Sequence, residues 1–171
     1  SVLRFEQNIY QKLKSVVKIE NITMNILVQF AWHKLIQIYT SDKQTTVGTT
    51  VSGRSIPILD IENSVGLFIN TLPLTINWDN QNTIKTQLQQ CHKNISELGE
   101  NSFASLSSIQ KEGKRLFHSL VVFENYPSPV EDKEEDSSLK VTFREGFEKL
   151  DYPFGIIVDE GGGDVLRFNL N

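Results

Sequence analysis

Ile84, Leu88, Cys91, Ile95 and Leu98 follow one another at spacings of 4, 3, 4 and 3. That period belongs to one face of an α-helix, and it predicts a helix over 83–98 with a buried seam. A seam has to be covered, and the flanking segments indicate by what. TTVGTTVSGR at 45–54 is rich in β-branched residues and ends in a Gly turn, so it reads as a strand followed by a loop. LPLTINW at 72–78 reads as a second strand, with Pro73 near its start or on a sheet edge. Helices interleaved with strands point to a mixed α/β arrangement in one domain.

The same reading extends along the chain. Phe5, Ile9, Leu13 and Val16 or Val17 predict a helix over 3–18. Thr23 is placed to cap a helix over 24–39, whose stripe is Met24, Leu27, Ala31, Leu35 and Ile38, widened by Phe30 and Trp32. Residues 55–64 read as a loop held by Pro57, with a turn or short helix at 62–69 and another short helix at 103–110. Strands are expected within 116–127 and at 140–147. FGIIVDEGGGDVLRFNLN reads as a hairpin joined across Asp159 to Asp164. EDKEED at 131–136, flanked by prolines and serines, reads as a solvated loop.

Composition narrows the function classes. A chain of 171 residues can bury roughly 70% of its unfolded surface. The net charge of −4 argues against a nucleic-acid partner, which would call for a basic face. No run of about 18 apolar residues occurs, so no membrane partner is expected. The single cysteine, Cys91, cannot form an internal disulfide, which suits the cytoplasm. The chain starts without an initiator Met, so it is expected to be part of something longer, or processed or trimmed.

Several short patterns suggest chemistry and fail on geometry. DEGGGD resembles a phosphate loop, but a strand follows it where a helix N-terminus is needed. Cys91 and His92 are adjacent on a helix and point about 100° apart, so they do not pair as nucleophile and base. His118 and Ser119, neighbours in a strand, point to opposite faces. His33, His92 and His118 lack metal-ligand spacing, and His33 is expected to be structural or exposed.

What remains is SGR at 52–54 and VGLFINT at 65–71. Their bland reading is a strand end, a turn and a buried segment. Asn70 and Thr71 are the oddity, because polar side chains in an apolar run cost roughly 1–3 kcal/mol each if left unpaired. Either they satisfy nearby backbone or they face a polar cavity.

These residues carry a resemblance. GTTVSGR followed by VGLFINTLPL resembles the C-terminal half of nonribosomal peptide synthetase condensation domains. Val65, Gly66, Phe68, Ile69, Asn70 and Thr71 fill that family's motif [IV]-G-x-F-[VI]-N-T. ITMNILVQFAWHKLIQIYT looks like the helix upstream of it, and LFHSLVVFENYP and DYPFGIIV look like the strands downstream. NSFASLSSIQ is similar to the short helix after the next motif.

The resemblance implies an α/β fold: one chloramphenicol acetyltransferase-like lobe, a mixed β-sheet packed by helices. Residues 1–171 would form a single domain, the C-terminal lobe, with the N-terminal catalytic lobe and the family's final helix absent. The two lobes face each other across a tunnel. Donor and acceptor peptidyl carrier proteins dock at its mouths, each presenting an acyl group on a phosphopantetheine arm, and an amide forms. No other cofactor and no metal are implied. The family's catalytic HHxxxDG does not occur, so no catalytic residue is assigned here. The implied tunnel and lobe-interface residues are Ser52, Gly53, Arg54, Asn70, Thr71 and Ser119. The segment 126–139 is a candidate crossing to the other lobe. A docking module without catalysis, or a lobe of an epimerisation or heterocyclisation domain, are the alternatives. The plant-type acyltransferases are disfavoured because their DFGWG motif does not occur.

Overall fold

Thr45, Val47, Thr49 and Val51 alternate along one strand, and all four are buried. This period of two gives a strand one face to bury and one to leave. The computed structural model describes residues 1–55, 58–110, 114–124, 151–160 and 165–170. It contains β1 (Val2–Glu6), α1 (Gln7–Ile19), α2 (Met24–Thr40), β2 (Gln44–Ser52), β3 (Ile69–Asn77), α3 (Ile84–Glu100), α4 (Leu106–Ile109), β4 (Ser119–Glu124), β5 (Phe154–Asp159) and β6 (Val165–Leu170). The strands form one six-stranded sheet in the order β1-β6-β5-β4-β2-β3. The β2–β4 and β4–β5 pairs are parallel, and the others are antiparallel. The expected mixed sheet packed by helices is therefore present.

The helices share one face of that sheet. Tyr10 of α1 and Met24 and Val28 of α2 pack on Val47, Val121, Ile156, Val158 and Leu166. Ile26 and Phe30 of α2 meet Leu88 and Cys91 of α3 over Ile76, with Trp78 beside them. Thr23 and Thr83 cap α2 and α3, accepting from the amides of Ile26 and Thr86. Beside α2, over β6 and β1, the packing leaves an apolar groove of about 440 Å³ walled by Phe5, Leu13, Leu27, Trp32 and Phe168.

The structure differs from expectation in phase at the first two helices. Residues 2–6 are a strand, not helix, because Leu3 and Phe5 pair with Phe168 and Leu166 of β6. The chain turns at Gln7 (φ 38°), and the inward face of α1 is Tyr10, Leu13 and Val17; Ile9 is exposed. On α2 the buried face includes Ile26, Gln29, Phe30 and His33, while Ala31, Leu35 and Ile38 are exposed. An apolar α2 flanked by two clusters offers several equivalent stripes to the eye, and packing against β2 selects one. The expected strand at 140–147 and the acidic segment 131–136 lie outside the described residues.

The opposite sheet face carries a row with two glycines in it. Pro73, Gly48, Leu120 and Gly155 lie side by side across β3, β2, β4 and β5. Phe117 lies over Gly48 and stacks on Tyr152 with ring centroids 5.2 Å apart.

Candidate functional site

The two odd stretches meet because β2 and β3 are antiparallel neighbours. Ser52 is opposite Ile69, and Val51 is opposite Asn70. The end of β2 therefore sits beside the start of β3. Gly53 follows at once, and its amide donates to the Phe68 carbonyl at 2.6 Å. A Cβ at Gly53 would stand 2.9 Å from that oxygen, so the close approach requires glycine.

Arg54 braces the loop that joins the strands. Its guanidinium lies over the Phe68 ring, 4.4 Å from the centroid. Nη1 donates to the Ile61 carbonyl at 2.6 Å and Nη2 to the Ser64 carbonyl at 3.0 Å. The planar fork serves two carbonyls and an aromatic face at once, which an ammonium could not do. The Ser52 hydroxyl accepts from the Arg54 amide at 3.3 Å. Ile61 is buried within this loop. Four other apolar residues of the loop point out: Ile58, Leu59, Val65 and Leu67 are exposed, as is Ile69 where β3 begins, and Leu59, Val65 and Leu67 are 91% exposed or more.

Asn70 resolves the choice between backbone and cavity in favour of backbone. Its Nδ2 donates to the carbonyls of Ser102 (2.8 Å) and Ala104 (2.7 Å), tying β3 to the segment after α3. Its Oδ1 accepts from the Thr71 amide at 2.8 Å. This matters because β3 is an edge strand. Asn70 occupies the Thr71 N–H, Pro73 has no N–H, and Asn94 donates to the Thr75 carbonyl at 2.9 Å. The edge is thus blunted against pairing with another strand. Thr71 lies opposite Thr50 on the sheet face away from α1, α2 and α3, and Thr46 and Thr75 share a hydrogen bond of 3.0 Å on that face.

Ser119, expected with this group, lies elsewhere. It is buried on the helix-packed face, and its Oγ accepts from Trp32 Nε1 at 2.8 Å. His118 beside it is exposed, so the two do not converge. Ser52, Gly53, Arg54, Asn70 and Thr71 form one cluster; Ser119 belongs to the frame.

Sequence reasoning missed the polar layer under α2. His33 Nδ1 lies 2.8 Å from Thr45 Oγ1, which accepts from Trp78 Nε1 at 2.9 Å. Gln29 Nε2 donates to Thr49 Oγ1. Burial lowers the His33 pKa to about 3, so the ring stays neutral and bonds Thr45 as a structural group. The threonines alternating with valines in TTVGTTV were the available signal. Burial pushes the Cys91 thiol up to about 12, which removes it as a nucleophile. Among the described residues there is no cluster of three His, Cys, Asp or Glu fit for a metal ion, and no helix long and apolar enough to cross a membrane.

Known proteins resemble this chain. The family model described as the Condensation domain matches residues 1–171. The chain is 33% identical over 160 residues to N-(5-amino-5-carboxypentanoyl)-L-cysteinyl-D-valine synthase of Amycolatopsis lactamdurans, covering 90% of this chain and 4% of that protein. It is 30% identical over 179 residues to bacitracin synthase 1 of Bacillus licheniformis, covering 99% and 3%. The chain thus spans only a few per cent of the curated relatives it matches. Among solved structures, the first condensation domain of the CDA synthetase aligns with a TM-score of 0.72 at 13% identity, covering 99% of this chain and 39% of that one. A holo four-domain nonribosomal peptide synthetase bound to AMP and glycine aligns at 0.79 with 18% identity, covering 99% and 14%. At these identities the structures speak for the fold.

Proposed function

The chain belongs to the condensation-domain family, and from that premise we propose that it is the C-terminal lobe of a domain that forms amide bonds between carrier-bound acyl groups. The observation that carries this reading is the loop 58–68. Its backbone is braced by Arg54 and Gly53, yet it holds Ile58, Leu59, Val65 and Leu67 toward solvent. Apolar side chains grouped and held outward by a rigid brace mark a surface that meets another protein surface. We assign that surface to the N-terminal lobe, which would bring the catalytic HHxxxDG.

In this reading the sheet face away from α1, α2 and α3, which carries Thr50 and Thr71, walls the tunnel. Ser52, Gly53 and Arg54 set the crossing loop, and Asn70 locks β3 behind the wall. Ser119, engaged by Trp32, supports the wall from the helix side. The family's final helix would lie over the apolar groove beside α2. Donor and acceptor carrier proteins are the partners, and their phosphopantetheine arms are the tethers that enter the tunnel. The lobe contributes alignment: holding an amine against a thioester in reactive geometry can be worth roughly 7–11 kcal/mol. The absence of HHxxxDG from these residues fits a wall that moves no proton.

The test uses the native polypeptide that contains this chain, with both carriers loaded and the amide product followed by mass spectrometry. Product formation, abolished by a Val65→Asp/Leu67→Asp pair that severs the two lobes, is expected. A native polypeptide that binds both carriers and forms no amide would leave a docking module in place of a condensing lobe.

A further inference from the structure

The polar layer under α2 holds a proton whose place can be worked out. Thr45 Oγ1 has two neighbours, Trp78 Nε1 at 2.9 Å and His33 Nδ1 at 2.8 Å. An indole N–H can only donate, so it occupies one lone pair of the Thr45 oxygen. Among the described residues, the hydroxyl proton of Thr45 then has one acceptor within reach, His33 Nδ1. The reverse arrangement, with Nδ1–H donating to Thr45, would strand that hydroxyl proton in the core, because Thr45 is buried. The His33 ring is therefore the Nε2–H tautomer.

That assignment leaves a buried donor to account for. His33 is fully buried, and its Nε2 has no hydrogen-bond partner among the described residues. Gln29, four residues earlier on α2, is buried as well. Its Nε2 is engaged by Thr49, and its Oε1 has no partner among the described residues. Side chains four apart on a helix lie one above the other on the same face. One orphan is thus a donor and the other an acceptor, and no direct hydrogen bond joins them. Buried polar atoms are rarely left without partners. A water molecule both accepts and donates, and it is the smallest group that can serve the two together. We propose that an internal water bridges His33 Nε2–H and Gln29 Oε1 as a fixed part of this core. The ring is then held at both nitrogens, by Thr45 on one side and through the water on the other. Gln29 and His33 so fix the register of α2 on β2, the strand that leads into Ser52, Gly53 and Arg54. Asn25, four residues before Gln29, continues the stripe: it is half-buried, and its Oδ1 is buried and without a partner among the described residues. It gives the water a polar way in from the end of the stripe.

The experiment uses the full chain with His92→Asn and His118→Asn, neither of them a buried position, so that His33 is its one histidine. Long-range proton–nitrogen spectra of the 15N-labelled ring are expected to show the protonated nitrogen coupled to both carbon-bound ring protons, which is the Nε2–H pattern. Rotating-frame spectra should then show a cross-relaxation peak between Hε2 and water, with the sign of a held molecule and not that of proton exchange. Gln29→Leu should remove this peak and leave the tautomer unchanged. A protonated nitrogen coupled to only one ring proton, the Nδ1–H pattern, would overturn the proposal. So would an Nε2–H with no water peak, or a peak undiminished in Gln29→Leu. Should Gln29→Leu not fold, a crystal structure of the native polypeptide decides the share of Gln29: a water within about 3.2 Å of both His33 Nε2 and Gln29 Oε1 supports the bridge, and no water there refutes it.

Discussion

Gly48 has a calculable reason to be glycine. An added Cβ would lie 2.2 Å from Phe117 Cε2, and 2.7 and 2.8 Å from Cδ2 and Cζ. Ordinary contact begins near 3.4 Å, so either the ring or the strand must retreat by more than 1 Å. The strand is held on both sides, by Pro73 of β3 and Leu120 of β4. The ring is 2% exposed and stacked on Tyr152, over which Arg115 also lies. A ring that shifts in place costs about 1–3 kcal/mol. A ring expelled from its site costs about 3–5 kcal/mol, as much as Phe117→Ala itself. Gly48→Ala should therefore destabilise the wild-type chain by at least about 1 kcal/mol. In a Phe117→Ala background the clash is gone. Alanine in a strand interior is then better than glycine by roughly 0.5–1 kcal/mol, so the same substitution should become stabilising. Urea unfolding followed by circular dichroism, across all four members of the cycle, gives the numbers. Equal cost in both backgrounds, within about 0.5 kcal/mol, would mean that Phe117 is not what demands glycine at 48.

Three further outcomes are expected. His33 has a folded pKa near 3 against about 6.5 unfolded, so the unfolded chain binds the extra proton between those values. Stability should be complete above about pH 6.5 and fall toward pH 3 by up to about 1.4 kcal/mol per unit; a His33→Gln variant should lose that part of the slope in pH-dependent unfolding. Arg54→Lys should fail to replace Arg54, because an ammonium cannot serve Ile61, Ser64 and the Phe68 face together; hydrogen exchange should quicken in residues 58–68 and not in α2. Cys91, fully buried with its pKa raised to about 12, should resist iodoacetamide at pH 8 in the folded chain and react promptly in urea.

Part of the fold is legible in local spacing. The Thr23 cap depends on neighbours within a turn and stands where the spacing puts it; the seam of α3 holds at Leu88, Cys91 and Ile95, whereas Ile84 at its start is exposed because nothing packs over the first turn. β5 and β6 are antiparallel neighbours, as the hairpin reading expects, with Asp159 opposite Arg167. Composition alone starts β3 three residues late, because Asn70 and Thr71 look like loop residues until the edge they close is known. Phe5 and Ile9 share a helical interval, yet only the partner strand β6, some 160 residues away, makes residues 2–6 a strand. At the candidate site, the grouping of SGR with VGLFINT is visible as a motif, whereas the separation of Ser119 from it is not. Adjacent motif residues carry no sign of which sheet face they occupy once the register is unknown.

Periodicity, capping and the motif residues by themselves determined α2, α3, the segments of β2 to β6 and the family to which the chain belongs, because each rests on local spacing or on residue identity. Tertiary structure alone decided what those residues do. Asn70 becomes a clamp only when Ser102 and Ala104 arrive beside it, Arg54 a brace only when the loop folds back over it, and His33 a neutral core group only when Thr45 and Trp78 close around it. Each of these roles is a contact between distant parts of the chain, and such contacts follow from sheet order and register, which no local interval encodes.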